Sequence, residues 1–287
     1  MIMQQYSIND LPQFSAWPER LLSVPQNKKR TASENLREYE KEKFGPLLNS
    51  VLREASSRSL TIDDVIKMEV PGQPDKLCFS NQSYQLLSFE DSWNRNIEMV
   101  GTILKNYMND DSALVELGAG YGRTLLSLKT KDIVKNNPCY GYEYTGSGAE
   151  LLKFLVKTNN FDVHCGLCDF TSADIVDSPF PSDSVVFTYY AASCIPLLTE
   201  EFFRKLCSFA PSKVVHFEPC YEHCDDKTLR GLMNKKYIEV NDMNKNLLTQ
   251  LKNLQKKGEL RIIEEQREVF SRNPLLSCSI IVWEPIY

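Results

Sequence analysis

LVELGAGYGRTLL, residues 114–126, runs from an apolar segment through a carboxylate, Glu116, into a loop with glycine at every second position: Gly118, Gly120 and Gly122. Apolar residues resume after Arg123 and Thr124. The pattern reads as a strand, a tight turn and a helix. Glycines so closely spaced let the backbone turn sharply and let another molecule approach without a Cβ in the way. The dinucleotide fingerprint G-x-G-x-x-G would need glycine where Arg123 stands. A carboxylate two residues ahead of the first glycine is also ill placed beside a pyrophosphate. It suits a ligand carrying an ammonium or sulfonium group.

Working outward, strand and helix patterns alternate. A helix at 123–129 is followed by the strand CYGYEY, a helix at 147–158 and the strand FDVHC. The strand SVVFTYY, a helix opening at Thr199 and the strand KVVHFE follow. Alternation of this kind predicts a parallel sheet with helices on both faces. A helix from about Asp242 to Gly258 then leads to ELRIIEEQREVF and LSCSIIVWEPI, joined by SRNPL as an antiparallel hairpin. Upstream, a helix carries Trp93, Ile97, Val100 and Leu104. Before it, Thr31 and Glu34 form a capping box and apolar residues recur at helical spacing up to Leu52. Gly45-Pro46 predicts a break or kink in that run. Residues 1–88 read as an all-helical cap or lid, and 89–287 as the core.

At this point the chain resembles the class I S-adenosylmethionine (SAM)-dependent methyltransferases, whose first motif is an acidic residue, any residue, then G-x-G-x-G. Glu143, ending CYGYE, matches the acid that holds the ribose hydroxyls; a carboxylate can accept two hydrogen bonds from a vicinal diol. Asp169-Phe170 matches the pair that meets the adenine. VVFTYY matches the strand whose end lies by the transferred methyl group. The resemblance covers about residues 90–287. It implies a seven-stranded sheet of order 3-2-1-4-5-7-6 with its last strand pair antiparallel. It also implies SAM as cofactor, held by Glu116, Gly118, Ala119, Gly120 and Gly122 together with Glu143, Tyr144, Asp169, Phe170 and Tyr189.

Candidate chemistry lies at the ends of the fourth and fifth strands. His216 and Glu218 are two apart on a strand and share a face, which would suit a general base; Tyr189 completes the expected catalytic set. Tyr190, His223, Asn241, Trp93 and Arg95 are candidate substrate contacts. Helix capping is a competing role for Asn241, and plain helix anchoring for Trp93. The aromatic amine signature N/D-P-P-Y/F is replaced by TYYAASCIP, against methylation of nucleic-acid bases or glutamine. The family's activity therefore reads as methyl transfer to a hydroxyl of a small molecule, a sugar or secondary metabolite. The alternatives are small-molecule or peptide N-methylation and a non-catalytic SAM-fold binding module. The first 85 residues are expected to enclose the acceptor while leaving SAM binding to the core.

Two Cys/His clusters, 164–168 and 216–224, have spacings that zinc tolerates. In the expected order they sit four strand spacings apart, roughly 19 Å, so they cannot join, and no metal is expected. The net charge of −5 gives no basic footprint for nucleic acid or an anionic membrane; NKKR at 27–30 reads as a solvated loop. No secretory signal is read at the N-terminus, and nine cysteines then suggest reduced thiols in a cytoplasmic setting.

Overall fold

The computed structural model describes residues 5–23, 31–134, 136–172 and 174–287. The basic run 27–30 lies outside them. Helices α1 (Leu11–Phe14), α2 (Trp17–Ser23), α3 (Ala32–Arg37), α4 (Gly45–Ala55) and α5 (Ile62–Glu69) come first. A hairpin of β1 (Lys76–Ser80) and β2 (Ser83–Leu87) follows, then α6 (Phe89–Lys105). The alternating part is β3 (Leu114–Leu117), α7 (Arg123–Thr130), β4 (Cys139–Glu143), α8 (Gly146–Thr158), β5 (Val163–Leu167), β6 (Val185–Tyr189), α9 (Glu200–Ser208) and β7 (Lys213–Glu218). Last come α10 (Leu229–Val240), α11 (Leu247–Lys256), β8 (Leu260–Ser271) and β9 (Cys278–Pro285).

All nine strands join one mixed sheet of order β2-β1-β8-β9-β7-β6-β3-β4-β5. From β5 to β8 this is the expected seven-strand order, with β3 to β7 parallel and β9 antiparallel to both β7 and β8. Seven strands was an undercount. The segment before residue 88 is not all helical, because β1 and β2 extend the sheet beyond β8. Their sequence, KLCFSNQSYQLL, turns at Asn81-Gln82, both in the left-handed region at φ 49° and 60°. Asn is one of the few side chains that tolerate it. Strand β8 shifts register against β9 between Ile262 and Glu264 and again between Gln266 and Phe270. Such bulges bend and twist a strand, and the far end of β8 pairs with β1 through Ser271 and Phe270.

Side-chain alternation splits the core into two layers. Leu114, Phe187, Val215, Phe217 and Ile280 pack under α4 to α8, and Val115, Val186, Val214, Ile281 and Trp283 pack under α9 and α11. A smaller cluster joins Leu11 and Leu21 to Leu77, Tyr237 and Leu275.

Two helix expectations need correction. The run through Gly45-Pro46 does not break. Residues Glu38–Phe44 form a π-helical stretch between α3 and α4, and the Gly45 N–H reaches back to the Glu40 carbonyl. A Cβ on Gly45 would come within 2.5 Å of that oxygen, so only glycine fits. Helix α10 was not foreseen. Its apolar residues lie on two faces, Leu229 and Leu232 exposed against Tyr237 and Ile238 buried, so no single stripe marks it.

Candidate active site

The glycine loop lies at the carboxyl end of β3, where the strand order reverses, which is where open α/β sheets bind ligands. Gly118, Gly120 and Gly122 all have positive φ (76°, 58° and 82°). A Cβ on Gly118 would sit 2.4 Å from the Ala191 Cβ, and one on Gly122 would meet Leu152 of α8 at 2.4 Å. The loop therefore packs directly on the turn after β6 and on α8.

A cavity of about 500 Å³ opens over this loop, in the range of small-ligand sites. One half is acidic. Glu116, 2% exposed, accepts the Leu125 N–H at 3.1 Å, and no second hydrogen bond to its carboxylate is seen among the described residues. Burial pushes its pKa well above the usual carboxylate range, and the nearby Glu143 charge adds to this. Glu143 accepts from the Gly120 N–H at 2.8 Å, and from the Thr145 N–H and hydroxyl at 3.1 and 2.7 Å. Asp169 uses one oxygen, Oδ1, for the Thr171 N–H and hydroxyl. Phe170 lies beside Gly118 and against Phe202. Ala119 and Tyr144 also line this half.

The other half is basic and aromatic. Trp93 lines it, with the Arg123 guanidinium 4.1 Å from its ring centroid. Arg123 pairs with Glu69 at 2.9 Å, and Glu69 also accepts from the Tyr121 hydroxyl at 2.6 Å. Arg272 donates its Nε–H to Ser92 at 3.0 Å and stacks on Phe89. Tyr189 and Tyr190 close the wall; burial raises the pKa of both phenols, and the Tyr190 hydroxyl donates to the Leu276 carbonyl.

Five expected residues lie elsewhere. His216 is fully buried beneath α9 on the other face of the sheet. Its Nε2 accepts from the Trp283 indole N–H at 3.0 Å, so Nδ1 carries the proton and donates to the Thr188 hydroxyl at 2.9 Å. Burial pushes its pKa down to about 3. His223 bonds Ser279 and Glu265 outside the cavity. Asn241 is the C-cap of α10, its amide on the Tyr237 carbonyl, and Arg95 reaches out to Gln85. Glu218 does not line the cavity either. It accepts the backbone N–H groups of Ala191, Ala192 and Ser193 at 2.9, 2.9 and 3.1 Å. It thereby fixes the turn on which Gly118 packs, a positioning role. Among the described residues no three His, Cys, Asp or Glu are grouped to hold a metal ion, and no helix is long and apolar enough to cross a membrane.

The N-terminal helices touch the glycine loop itself, beyond the acceptor side expected of them. Phe44 packs where a Gly120 Cβ would be 3.1 Å away. Glu40 accepts the Ser147 N–H at 3.1 Å and its hydroxyl at the start of α8, an acid at a helix N-terminus. Asn35 donates to the Cys194 carbonyl at 2.8 Å. Sequence patterning missed Phe44, Glu69, Lys76, Arg123 and Arg272 because each reaches the site from a separate segment. The one legible signal was Arg123, conspicuous for standing where a dinucleotide fingerprint needs glycine.

No family model matches the chain, and no curated protein matches it by sequence. Solved structures do. The protein resembles one from Galdieria sulphuraria provisionally named a sarcosine dimethylglycine methyltransferase, at 11% identity and TM-score 0.51 over 78% of this chain and 97% of that one. Weaker likenesses are to a SAM-dependent methyltransferase from Aquifex aeolicus (14% identity, TM-score 0.45, 67% and 98% covered) and to geranyl diphosphate C-methyltransferase from Streptomyces coelicolor (10%, 0.48, 67% and 80%). The chain has the fold of the class I SAM-dependent methyltransferases.

Proposed function

We propose that this protein is a SAM-dependent methyltransferase acting on a small molecule. The observation that carries the reading is the acidic row Glu116, Glu143 and Asp169 at the ends of three adjacent strands, bordering one cavity with the glycine loop. A buried carboxylate with so little donated to it fits an ammonium group, and the remaining lone pair of Glu143 Oε2, which takes one bond, and the Oδ2 atom of Asp169 fit hydroxyl and amino donors. In that arrangement Arg123 would hold the cofactor's carboxylate and Phe170 its ring. When bound, SAM supplies an electrophilic methyl group. The chain's own contribution is alignment and exclusion of water, which Phe44, Trp93 and Tyr189 serve as walls.

The His216/Glu218 base no longer supports a hydroxyl acceptor, since neither side chain lines the cavity. The raised pKa of Tyr189 also leaves it protonated at neutral pH. These facts favour an acceptor that needs no base: an oxygen already ionised, or a neutral amine. Calorimetry tests the cofactor reading. SAM and S-adenosylhomocysteine (SAH) should bind, and NAD or NADP should not. Glu116→Gln should weaken SAH about 10- to 100-fold, the scale of hydrogen bonds to a charged group. Unchanged SAH affinity in Glu116→Gln would remove the acidic row from the cofactor site.

A further inference from the structure

We propose that Arg272 and Lys76 form an anion subsite for the methyl acceptor, which is therefore a small carboxylic acid. This rests on the methyltransferase reading and extends it to the substrate class.

Arg272 sits in the β8–β9 connection with its Nη2 atom buried and without a hydrogen-bond partner. Among the described residues it makes one hydrogen bond, from Nε to the Ser92 hydroxyl, and the rings of Phe89 and Trp93 lie 4.6 and 5.3 Å from the guanidinium. The Arg123 guanidinium repels it, and among the described residues no carboxylate hydrogen-bonds or ion-pairs with it. Lys76, at the start of β1, lines the same cavity and is half-buried. The cations Arg272 and Arg123 act on it, and among the described residues no carboxylate hydrogen-bonds or ion-pairs with it. Burial and neighbouring guanidinium groups lower the pKa of both cations, Arg272 and Arg123 acting on Lys76 and Arg123 on Arg272. Leaving a buried donor unmet costs about 1–3 kcal/mol, so the Arg272 guanidinium is held in a state that a bound anion would relieve, with the Lys76 charge beside it.

The cofactor does not account for that charge. Its single carboxylate has Arg123, whose Nε and Nη2 are also without partners beside the glycine loop. Arg272 and Lys76 are carried by the β8–β9 connection and by β1, and line the cavity together with Tyr189, Tyr190 and Leu276. Planar guanidinium geometry favours a carboxylate, which it can grip through two N–H groups. The surrounding rings and Leu276 favour an apolar body. A carboxylate is also ionised at neutral pH, consistent with a cavity that offers no base.

The test titrates benzoate, 3-phenylpropanoate and hexanoate, each beside its neutral amide, into protein saturated with SAH. SAH binding is measured first, and its absence would sink the methyltransferase reading and not this one alone. With SAH bound, at least one acid should bind about 10- to 100-fold tighter than its amide. Arg272→Gln should erase that preference while leaving SAH affinity within about threefold, and Arg272→Lys should restore part of it. Lys76→Gln should act in the same direction, and it serves if Arg272→Gln does not fold. The proposal fails if no acid outbinds its amide. It fails equally if phenyl phosphate binds tighter than every acid, or if Arg272→Gln weakens SAH tenfold while sparing the acids.

Discussion

Two groups of polar side chains gather near the carboxyl ends of the strands, and they differ in how much of their bonding capacity the protein itself uses. His216, Glu218 and His223 are buried and satisfied: both nitrogens of each ring are occupied, and Glu218 takes three backbone N–H groups. Arg123 and Arg272, across the sheet, keep buried nitrogens with nothing to bond. Residue type alone would nominate the first group for chemistry. Saturation says otherwise: a polar group whose partners are all supplied by the fold is structural, and one left unmet points to a ligand.

The sharpest way to break this contrast is thermal. Glu218→Ala strips three buried N–H groups of their acceptor and should cost about 3 kcal/mol or more, lowering the melting temperature by roughly 6–12 °C. Arg272→Gln should move it by no more than about 2 °C. Equal losses in the two variants would erase the distinction.

The next effect is acid sensitivity. His216 has its folded pKa depressed to about 3, from an ordinary value near 6.5. Between those pH values the unfolded chain takes up a proton that the folded one refuses. The stability contributed by neutral His216 is thus complete above pH ~6.5 and drains away as pH falls toward ~3. Buried Glu116 and Glu218, whose pKa values are raised, act with the opposite sign. The comparison is therefore made against His216→Gln, which should show a flatter acid limb in denaturant melts across pH 3–7. Parallel curves would mean that His216 is already charged in the fold.

Trp283→Phe keeps a ring in place but removes the donor to His216 Nε2. A loss of about 1–2 kcal/mol is expected by denaturant unfolding, with SAH affinity unchanged. Smallest of all, Arg95→Ala removes an exposed side chain that contacts Gln85 and should shift stability by less than about 0.5 kcal/mol. A large loss of acceptor binding in that variant would return Arg95 to the site.

The parallel half of the fold was legible because each strand announces itself as a short apolar run and each helix as an amphipathic one. The glycine loop and the three strand-end acids were legible for a related reason: their chemistry is local, each set by one turn. What lies on β7 was misread because alternation tells that His216 and Glu218 share a face but not which face meets the cavity. Phe187 and Phe217 show the outcome, pointing to one layer while Thr188 and His216 bond in the other. The basic half was illegible for a different reason. Lys76, Arg123 and Arg272 are separated by 47 and 149 residues along the chain, and only the added hairpin β1–β2 and the bulged β8 bring them together.

The π-helical stretch Glu38–Phe44 has a consequence that can be counted in codons. Each residue of an α-helix turns the chain by about 100°, and a π turn holds one residue more than an α turn fixes. Loss of any single residue between Glu38 and Phe44 would let the segment relax into plain α-helix, still continuous with α4. The two sides of that lesion would then be misaligned by about a quarter-turn or more. Either Glu40 would leave the start of α8 or Phe44 would leave the glycine loop. A three-nucleotide deletion there, touching no residue that lines the acidic row, would uncouple the cover from the site it spans.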